Sequence, residues 1–222
     1  MNTISRIRIV FAAVCLAVCM FFVLPPASGD EAPDAQDKEV LERIEEKMAE
    51  ITTVQAGFTQ EKELPVLERT MVIEGRMALQ QPDHIAWHVD KPVRYRMVIR
   101  GSQLEQWDED TDRVQKLNLD RNPAYRAMFQ QLSAWFSGRY EKLLEQYTMR
   151  VESSEPVVLV FSPREEGDFA ELISSVTITF REDESYIEKL EILEANESLS
   201  TIRFQGTELN GEIDDDTWKA RP

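Results

Sequence analysis

The sequence predicts a mainly β domain of the α+β class, in which one strongly curved antiparallel sheet is covered by helices on its concave side. Apolar and polar residues alternate from Thr53 to about Lys116 and again from Tyr147 to about Leu209, which indicates roughly ten strands. One amphipathic helical segment precedes the first stretch and another separates the two. A single flat sheet of this size would leave its apolar face in water, so we expect it to curl around the helices and form a pocket.

The first 29 residues have the layout of a secretory signal peptide. Arg6 and Arg8 precede the apolar run IVFAAVCLAVCMFFVL, and the small residues Ala27 and Gly29 suit cleavage before Asp30. The alternative is a retained membrane anchor, because the run approaches the shorter end of the lengths that span a bilayer. We expect cleavage and export.

Both cysteines lie inside this predicted signal, so the cleaved chain would have no thiol, disulfide or Cys-bound metal. A lipidation signal needs a small residue just before the cysteine. Val14 and Val18 take that place before Cys15 and Cys19, so we expect no lipid anchor.

The composition of the chain is acidic. A formal net charge of −16 argues against nucleic acid or an anionic membrane as the main partner. The length favours a single domain, which we assign to residues 37–222. Residues 30–36, DEAPDAQ, contain almost nothing apolar to bury and are predicted to be a flexible acidic linker.

The first helical pattern starts at Asp37. Its apolar residues recur at helical spacing among Glu, Lys and Arg, which puts one apolar stripe on a helix. Such a stripe must pack on another element. It consists of Val40, Leu41, Ile44, Met48 and Ile51.

From Thr53 the apolar period falls to two, which is typical of strands with one apolar face. Turn signals at LPVLE, QQPD, VDKP, RGSQ and DEDTD are closely spaced, so consecutive strands should pair antiparallel. The residues expected on the apolar face are Ala56, Phe58, Met71, Ile73, Gly75, Met77, Leu79, Ile85, Trp87, Val89, Tyr95, Met97 and Ile99.

A second helix is predicted within RNPAYRAMFQQLSAWFSG. Asn122 is a good cap, Pro123 is tolerated in the first turn, and Gly138 can end the helix. The apolar face is unusually aromatic and consists of Tyr125, Met128, Phe129, Leu132, Trp135 and Phe136.

No motif in the sequence indicates an enzyme or a cofactor. His84 and His88 lie on a predicted strand, where a spacing of four residues separates them by about 13 Å, too far to share a metal readily. The many carboxylates have no distinguishing spacing, and there is no G-x-S-x-G elbow or Gly-rich phosphate loop. We therefore expect no catalysis, no cofactor and no metal.

Several short motifs occur in a familiar order. They are F-T-Q at 58–60, a Gly-x-hydrophobic strand at Gly75, Pro82 followed by Trp87, and a strand pair that ends in Trp107. In this order the chain resembles the LolA-like family of periplasmic outer-membrane lipoprotein carriers, and the resemblance resumes in the second helix and the later strands. The outer-membrane acceptor of the same fold is itself a lipoprotein, so the absence of a lipidation signal favours the carrier.

The resemblance implies an incomplete barrel with helices as a lid over an apolar cavity that shelters acyl chains. It implies a monomeric periplasmic carrier that receives lipoproteins from an inner-membrane release transporter and passes them to an outer-membrane acceptor. The residues expected to line the cavity are Phe58, Met77, Leu79, Ile85, Trp87, Tyr95, Met97, Ile99, Met128, Phe129, Leu132, Trp135 and Phe136. The alternative is that these side chains fill an ordinary core.

One residue departs from the family pattern. Family carriers often have Arg immediately before the Pro at position 82, where it ties the lid to the barrel; here the residue is Gln81. Gln can still donate a neutral hydrogen bond to a lid carbonyl, but a charge-assisted bond is roughly twice as strong. The lid latch is therefore expected to be weaker here, or to be made elsewhere.

Arg94, Arg96 and Arg100 alternate with apolar residues and should lie on the outer face of one strand. On so acidic a chain they suggest a docking surface for the inner-membrane complex, and the alternative is a solvated stripe. Two other functions stay open: a carrier of a free lipid or glycolipid on the same fold, and an envelope-stress sensor that binds lipidated proteins.

Overall fold

The structure is a computed structural model that describes residues 34–65, 68–165, 167 and 169–222. The predicted signal peptide, with both cysteines, and residues 30–33 of the predicted linker lie outside the described residues. Within the described part, no helix is long and apolar enough to cross a membrane.

The described chain is mostly β, which confirms the predicted class, and it has eleven strands where roughly ten were expected. Short 3-10 helices occupy Leu119–Arg121, Tyr140–Glu145 and Asp215–Trp218. The main elements are α1 (Ala35–Ala49), β1 (Thr53–Leu64), β2 (Arg69–Gln80), β3 (His84–Lys91), β4 (Tyr95–Arg100), β5 (Gln103–Asp108), β6 (Arg113–Asn118), α2 (Pro123–Ser137), β7 (Tyr147–Ser154), β8 (Val157–Pro163), β9 (Ile173–Phe180), β10 (Ile187–Glu194) and β11 (Leu199–Leu209).

All eleven strands form one antiparallel sheet in the order β6-β5-β4-β3-β2-β1-β11-β10-β9-β8-β7. The sheet is open, with β6 and β7 at its edges, as an incomplete barrel requires. Two runs of consecutive hairpins, β1 to β6 and β7 to β11, meet where β1 pairs with β11. Helix α2 is the connection between the two edge strands.

The contacts of α2 require the sheet to be strongly curved. Phe136 lies 6.1 Å from Trp87 of β3, and its neighbour Trp135 lies 4.8 Å from Phe161 of β8, between ring centroids. In the order of the sheet β3 and β8 are six strands apart, which would be about 28 Å in a flat sheet. Adjacent residues of one helix reach both strands only because the sheet curls around the helix.

Helix α1 begins at Ala35, two residues earlier than predicted. The Asp34 side chain accepts a hydrogen bond from the Asp37 backbone N–H and so caps the helix. The predicted stripe is confirmed, because all four apolar residues expected within the helix are buried.

Helix α2 starts at Pro123 and ends at Gly138, as predicted, and Gly138 has a φ of 72°. Asn122 occupies the predicted N-cap position, but its side chain forms no cap bond and donates instead to the Asn118 carbonyl. Gly138 also brings the two helices together, because a Cβ there would lie 2.2 Å from the Cβ of Met48 in α1.

The alternation predicted for β1 to β4 is confirmed, since its large apolar residues face the concave side in one core with both helices. A second, smaller cluster lies on the opposite, outer face of the sheet. There residues 212–222, called here the C-terminal strap, place Trp218 and Ala220 over small residues of the sheet. The buried members of this cluster are Ala78, Ala86, Val98, Trp107, Trp218 and Ala220.

Candidate functional site

The residues predicted to line a cavity lie together on the concave side of the sheet. Eleven of the thirteen are buried, and Leu132 is half-buried against the same core. Met128 is half-buried and lies outside that core. The structure thus brings twelve of the thirteen side chains together in one core, with helix α2 closing over the strands.

Three of the motif residues meet in one stack. Phe58 and Gly75 are paired across β1 and β2, and the Phe58 ring stacks on Trp87 of β3 with centroids 4.1 Å apart. A Cβ at Gly75 would lie 2.7 Å from the Phe58 ring and 2.1 Å from the His88 carbonyl oxygen. Only glycine leaves room for the ring, so the spacing of these motifs in the sequence reflects one contact on the concave face.

Helix α2 extends this stack to the second half of the sheet. Phe136 contacts Phe204 of β11 at 5.8 Å, and Trp135 contacts Tyr147 of β7 at 5.4 Å, both edge-on. Sequence reasoning did not assign Phe161, Phe204 or Tyr147 to the site. The signal was present, because these residues belong to strands that were predicted but whose apolar faces were not assigned.

Three polar atoms on or beside this apolar core have no hydrogen-bond partner within the described residues: Trp87 Nε1, Gln106 Nε2 and Tyr140 OH. Burial raises the pKa of Tyr140 well above its usual range, so its hydroxyl remains protonated. Buried polar groups are normally satisfied. Each of the three can donate a hydrogen bond to the carbonyl of an ester or amide that enters the core.

Gln81 lies where a lid latch was expected. Its Nε2 donates to the Ile51 carbonyl at 2.7 Å, and its backbone N–H donates to the Thr52 carbonyl at 2.8 Å. These bonds join the β2–β3 turn to the segment that follows α1. The side-chain bond is neutral, as Gln requires.

Two ion pairs bind α1 to the β9–β10 turn, away from the Gln81 bond. Glu184, in the β9–β10 turn, pairs with Arg43 at 2.9 Å and with Lys47 at 2.6 Å. Hydrogen bonds from both cations hold the pKa of Glu184 below its ordinary value. The sequence did not predict these ion pairs, because they join residues that are far apart in the chain. Nearby, the buried Tyr186 hydroxyl donates to the Phe136 carbonyl at 3.0 Å and fixes the last turn of α2.

Arg96 and Arg100 belong to β4, whereas Arg94 lies immediately before it and not on the strand as predicted; the three arginines have different environments on the outer face. Arg94 is exposed, pairs with Glu109 at 2.7 Å and lies 5.9 Å from the centre of the Trp107 ring. Arg100 is exposed, whereas Arg96 is half-buried beside the C-terminal strap and donates to the Lys219 carbonyl at 3.5 Å. Arg94 and Arg100 are therefore the members available to a partner.

His84 and His88 lie on the outer face of β3, and the strand assignment is confirmed. His84 Nδ1 is 2.9 Å from Asp83 Oδ1, and its ring meets Trp218 edge-on. In the described part of the chain, no three His, Cys, Asp or Glu residues are grouped so as to hold a metal ion.

Comparison with known proteins gives a consistent result. Residues 49–221 match the family described as outer membrane lipoprotein carrier protein LolA. An outer-membrane lipoprotein carrier protein of Pseudomonas syringae pv. syringae is 26% identical over 201 residues, which cover 89% of this chain and 88% of that protein.

Two solved structures are similar at lower identity. The MucA/MucB complex of Pseudomonas aeruginosa matches with a TM-score of 0.49 and 15% identity, over 84% of this chain and 61% of that chain. A LolA superfamily protein from Nitrosomonas europaea matches with a TM-score of 0.41 and 10% identity, over 82% of this chain and 97% of that chain.

Proposed function

The chain belongs to the LolA family of outer membrane lipoprotein carrier proteins, and from this we propose that it shields the acyl chains of lipoproteins on its concave side and moves them from the inner to the outer membrane. The observation that carries the proposal is the aromatic core between α2 and the curved sheet. The thirteen predicted residues would line the space that opens there.

The proposed task has a clear physical basis. Burial is worth about 0.8 kcal/mol per CH₂, so one long acyl chain gains on the order of 10 kcal/mol when it leaves water. A lipoprotein carries more than one such chain, and it crosses the periplasm only if a carrier covers them. The concave core offers an apolar surface of this kind, and Trp87 Nε1 and Tyr140 OH are donors for the ester or amide groups.

Loading requires α2 to give up contacts with the strands. In the proposed mechanism, acyl chains displace Phe129, Trp135 and Phe136 and then occupy the same apolar surface. The exchange replaces one apolar contact by another, so its net free energy is small and release stays possible. Unbranched Met77 and Met97 on the facing strands can repack around cargo of varied shape.

Gln81 and Glu184 both bind the α1 side of the lid. The neutral bond from Gln81 to the Ile51 carbonyl joins the sheet to the segment that follows α1, and it is weaker than the bond an arginine would make. The ion pairs of Glu184 with Arg43 and Lys47 hold α1 on the sheet while α2 moves. In this proposal α2 is the moving part of the lid and α1 is the fixed part.

We place the protein in the periplasm as a monomer between an inner-membrane release transporter and an outer-membrane acceptor of higher affinity. Arg94, immediately before β4, together with Arg96 and Arg100 of β4, is the proposed docking surface for the release transporter. Charge reversal of Arg94 and Arg100 should lower transfer of cargo from that complex and leave acyl-chain binding intact. Unchanged transfer would remove this surface from the proposal.

The deciding experiment for the cargo is native mass spectrometry of the protein taken from its own periplasm, with the bound species identified after denaturation. Acylated lipoproteins, accumulating when outer-membrane delivery is blocked, are the expected result. Free phospholipid or glycolipid alone under the same block would contradict lipoprotein transport and favour the alternative cargo on the same fold.

A further inference from the structure

A cavity lies on the outer face of the sheet, on the side opposite the aromatic core. Its volume is about 690 Å³, and its floor is formed by β1, β2, β3, β4 and β11. The C-terminal strap forms one wall with Thr217 and Lys219. Gly57 and Gly206 line the floor, and a Cβ at Gly206 would meet nothing within 4 Å. The size is within the range of small-molecule sites, roughly 300–1,000 Å³.

Three nitrogen-bearing side chains form a row across this floor. Arg76 of β2 is paired with His88 of β3, and His88 is paired with Arg96 of β4. Because directly paired residues of neighbouring strands project from the same face of a sheet, the row is fixed by the register. Gly57 is the partner of Arg76 on β1, so no side chain borders the row on that side.

The row is only partly neutralised. Arg76 pairs with Asp90 at 3.2 Å, while in the described part of the chain Arg96 forms no ion pair and donates one long bond to the Lys219 carbonyl. His88 is 5% exposed, and its Nε2 has no hydrogen-bond partner within the described residues. The half-buried guanidinium of Arg96 therefore lies beside the buried Nε2 of His88, which has no hydrogen-bond partner within the described residues, and both residues line the cavity.

We propose that Arg76, His88 and Arg96 bind one phosphate group of a small organic molecule in this cavity. Guanidinium groups suit phosphate oxygens because they donate two parallel hydrogen bonds, and an imidazole N–H supplies a further donor. Ala78 and Ala86, buried under the edge of the strap, are the apolar part of the lining.

The carboxylates around the cavity restrict the ligand. Glu208, Asp214 and Asp216 also line it; Asp216 forms an ion pair with Lys219, and the described residues provide no ion pair for Glu208 or Asp214. An extended anionic surface would meet these carboxylates, whereas one phosphate can enter between them and reach the row. The site thus favours a soluble phosphate ester over an anionic membrane.

The state of His88 supports this assignment. Burial, followed by the charges of Arg96 and Arg76, lowers the pKa of His88 to about 4, against a weaker opposing effect of Asp90 and a hydrogen bond with the Thr217 backbone. The imidazole is therefore neutral at neutral pH. A phosphate between the arginines would offset their charges and allow His88 to gain a proton and donate from Nε2.

The test uses the whole protein and three probes: inorganic phosphate, sn-glycerol 3-phosphate, and vesicles of phosphatidylglycerol with phosphatidylethanolamine. Calorimetry measures binding, and NMR follows the His88 ring resonances. We expect sn-glycerol 3-phosphate to bind, to shift these resonances, and to lose at least tenfold in affinity in Arg96→Gln and in Arg76→Gln. Arg76 is exposed, so its replacement should leave folding unchanged.

Arg203→Gln is the matched control, because Arg203 is an exposed arginine of the same sheet that lies outside the cavity and pairs with Glu61. It should bind like the wild type. Equal binding by all variants, no binding of the soluble phosphates, or binding to vesicles alone would overturn the proposal. Inorganic phosphate binding as tightly as the ester would also overturn it, since the organic portion would then contribute nothing. The cavity lies on the opposite face from the aromatic core, so failure of this test leaves the proposed carrier function untouched.

Discussion

Gly75 is the residue on which the aromatic stack depends. Its hypothetical Cβ meets the His88 carbonyl oxygen, a backbone atom that cannot rotate away, as well as the Phe58 ring. The motif pattern singled out Gly75, and the alternation of apolar residues predicted that Phe58 and Trp87 lie on the same face of the sheet. The contact that explains all three required the register of β1, β2 and β3.

We expect Gly75→Ala to lower the free energy of unfolding by at least about 2 kcal/mol, because the strand and the stack must both shift. Gly57→Ala is the control on the neighbouring strand, since its Cβ would be 3.6 Å from the Gln205 carbonyl oxygen, an ordinary contact. It should change stability by less than about 0.5 kcal/mol. Urea unfolding of the two variants measures the difference, and equal effects would show that the space at Gly75 is not critical.

His88 should make the protein sensitive to mild acid. Its pKa is about 4 in the folded chain and about 6.5 when unfolded. Between these values the unfolded state binds a proton that the folded state does not, so stability is complete above pH 6.5 and falls as the pH falls toward 4. The loss attributable to His88 should approach about 3 kcal/mol. Denaturant titrations across this window should show a shallower loss in His88→Gln, and parallel curves would contradict the prediction.

At the scale of elements, the two helices were predictable in different degrees. Their apolar faces followed from helical spacing, because a stripe of side chains must be buried wherever the helix packs. Their ties to the sheet did not follow. Glu184 holds α1 through a turn that comes far later in the chain, and no local pattern marks an acidic residue in a turn as a partner of a particular helix.

Glu184→Gln should loosen α1 specifically. The ion pairs are partly exposed, so we expect a loss of only about 1 kcal/mol in global stability, with faster amide exchange in α1 and little change in α2. Glu182→Gln removes an exposed charge from the same turn and should leave exchange in α1 unchanged. Hydrogen exchange measured residue by residue makes the comparison. Faster exchange in both helices alike would indicate that they move together.

The C-terminal strap was not predicted. Residues 212–222 contain few large apolar side chains, and the sequence indicated only an acidic turn before Trp218. The sheet residues that it covers are mainly the small Ala78, Ala86 and Val98. Small apolar residues are tolerated both in water and in a core, so their presence on the face assigned to solvent gave no signal.

At the scale of the whole molecule, the curvature and the order of hairpins could be predicted, because closely spaced strands with one apolar face have few ways to bury it. The cavity on the opposite face could not be predicted, because β1, near the start of the described chain, and the C-terminal strap, at its end, both contribute to it. The residues of the proposed cargo surface could thus be predicted from the sequence. The row formed by Arg76, His88 and Arg96 could not, because it depends on the register of β2, β3 and β4.

The four tryptophans report separately on the two faces. Trp87 and Trp135 lie in the concave core, and Trp107 and Trp218 lie in the outer cluster. If acyl chains enter under α2, a fatty acid brominated in mid-chain should quench the fluorescence of the Trp107→Phe, Trp218→Phe double variant. The Trp87→Phe, Trp135→Phe variant should be affected little. Quenching confined to the outer pair would exclude the concave side as the acyl site.

The pairing of β1 with β11 has a consequence for synthesis. Phe58 near the start of the chain lies opposite Phe204 near its end, at the centre of the sheet. As the chain is made, β1 to β6 can form hairpins at once, but one side of β1 keeps its backbone donors and acceptors unpaired until the final strand exists. Unpaired strand edges invite association between chains. The pairing of β1 with β11 at the middle of the sheet is therefore the last to form. Just before β11 is available, the exposed edge of β1 makes a nascent chain most liable to associate with other copies.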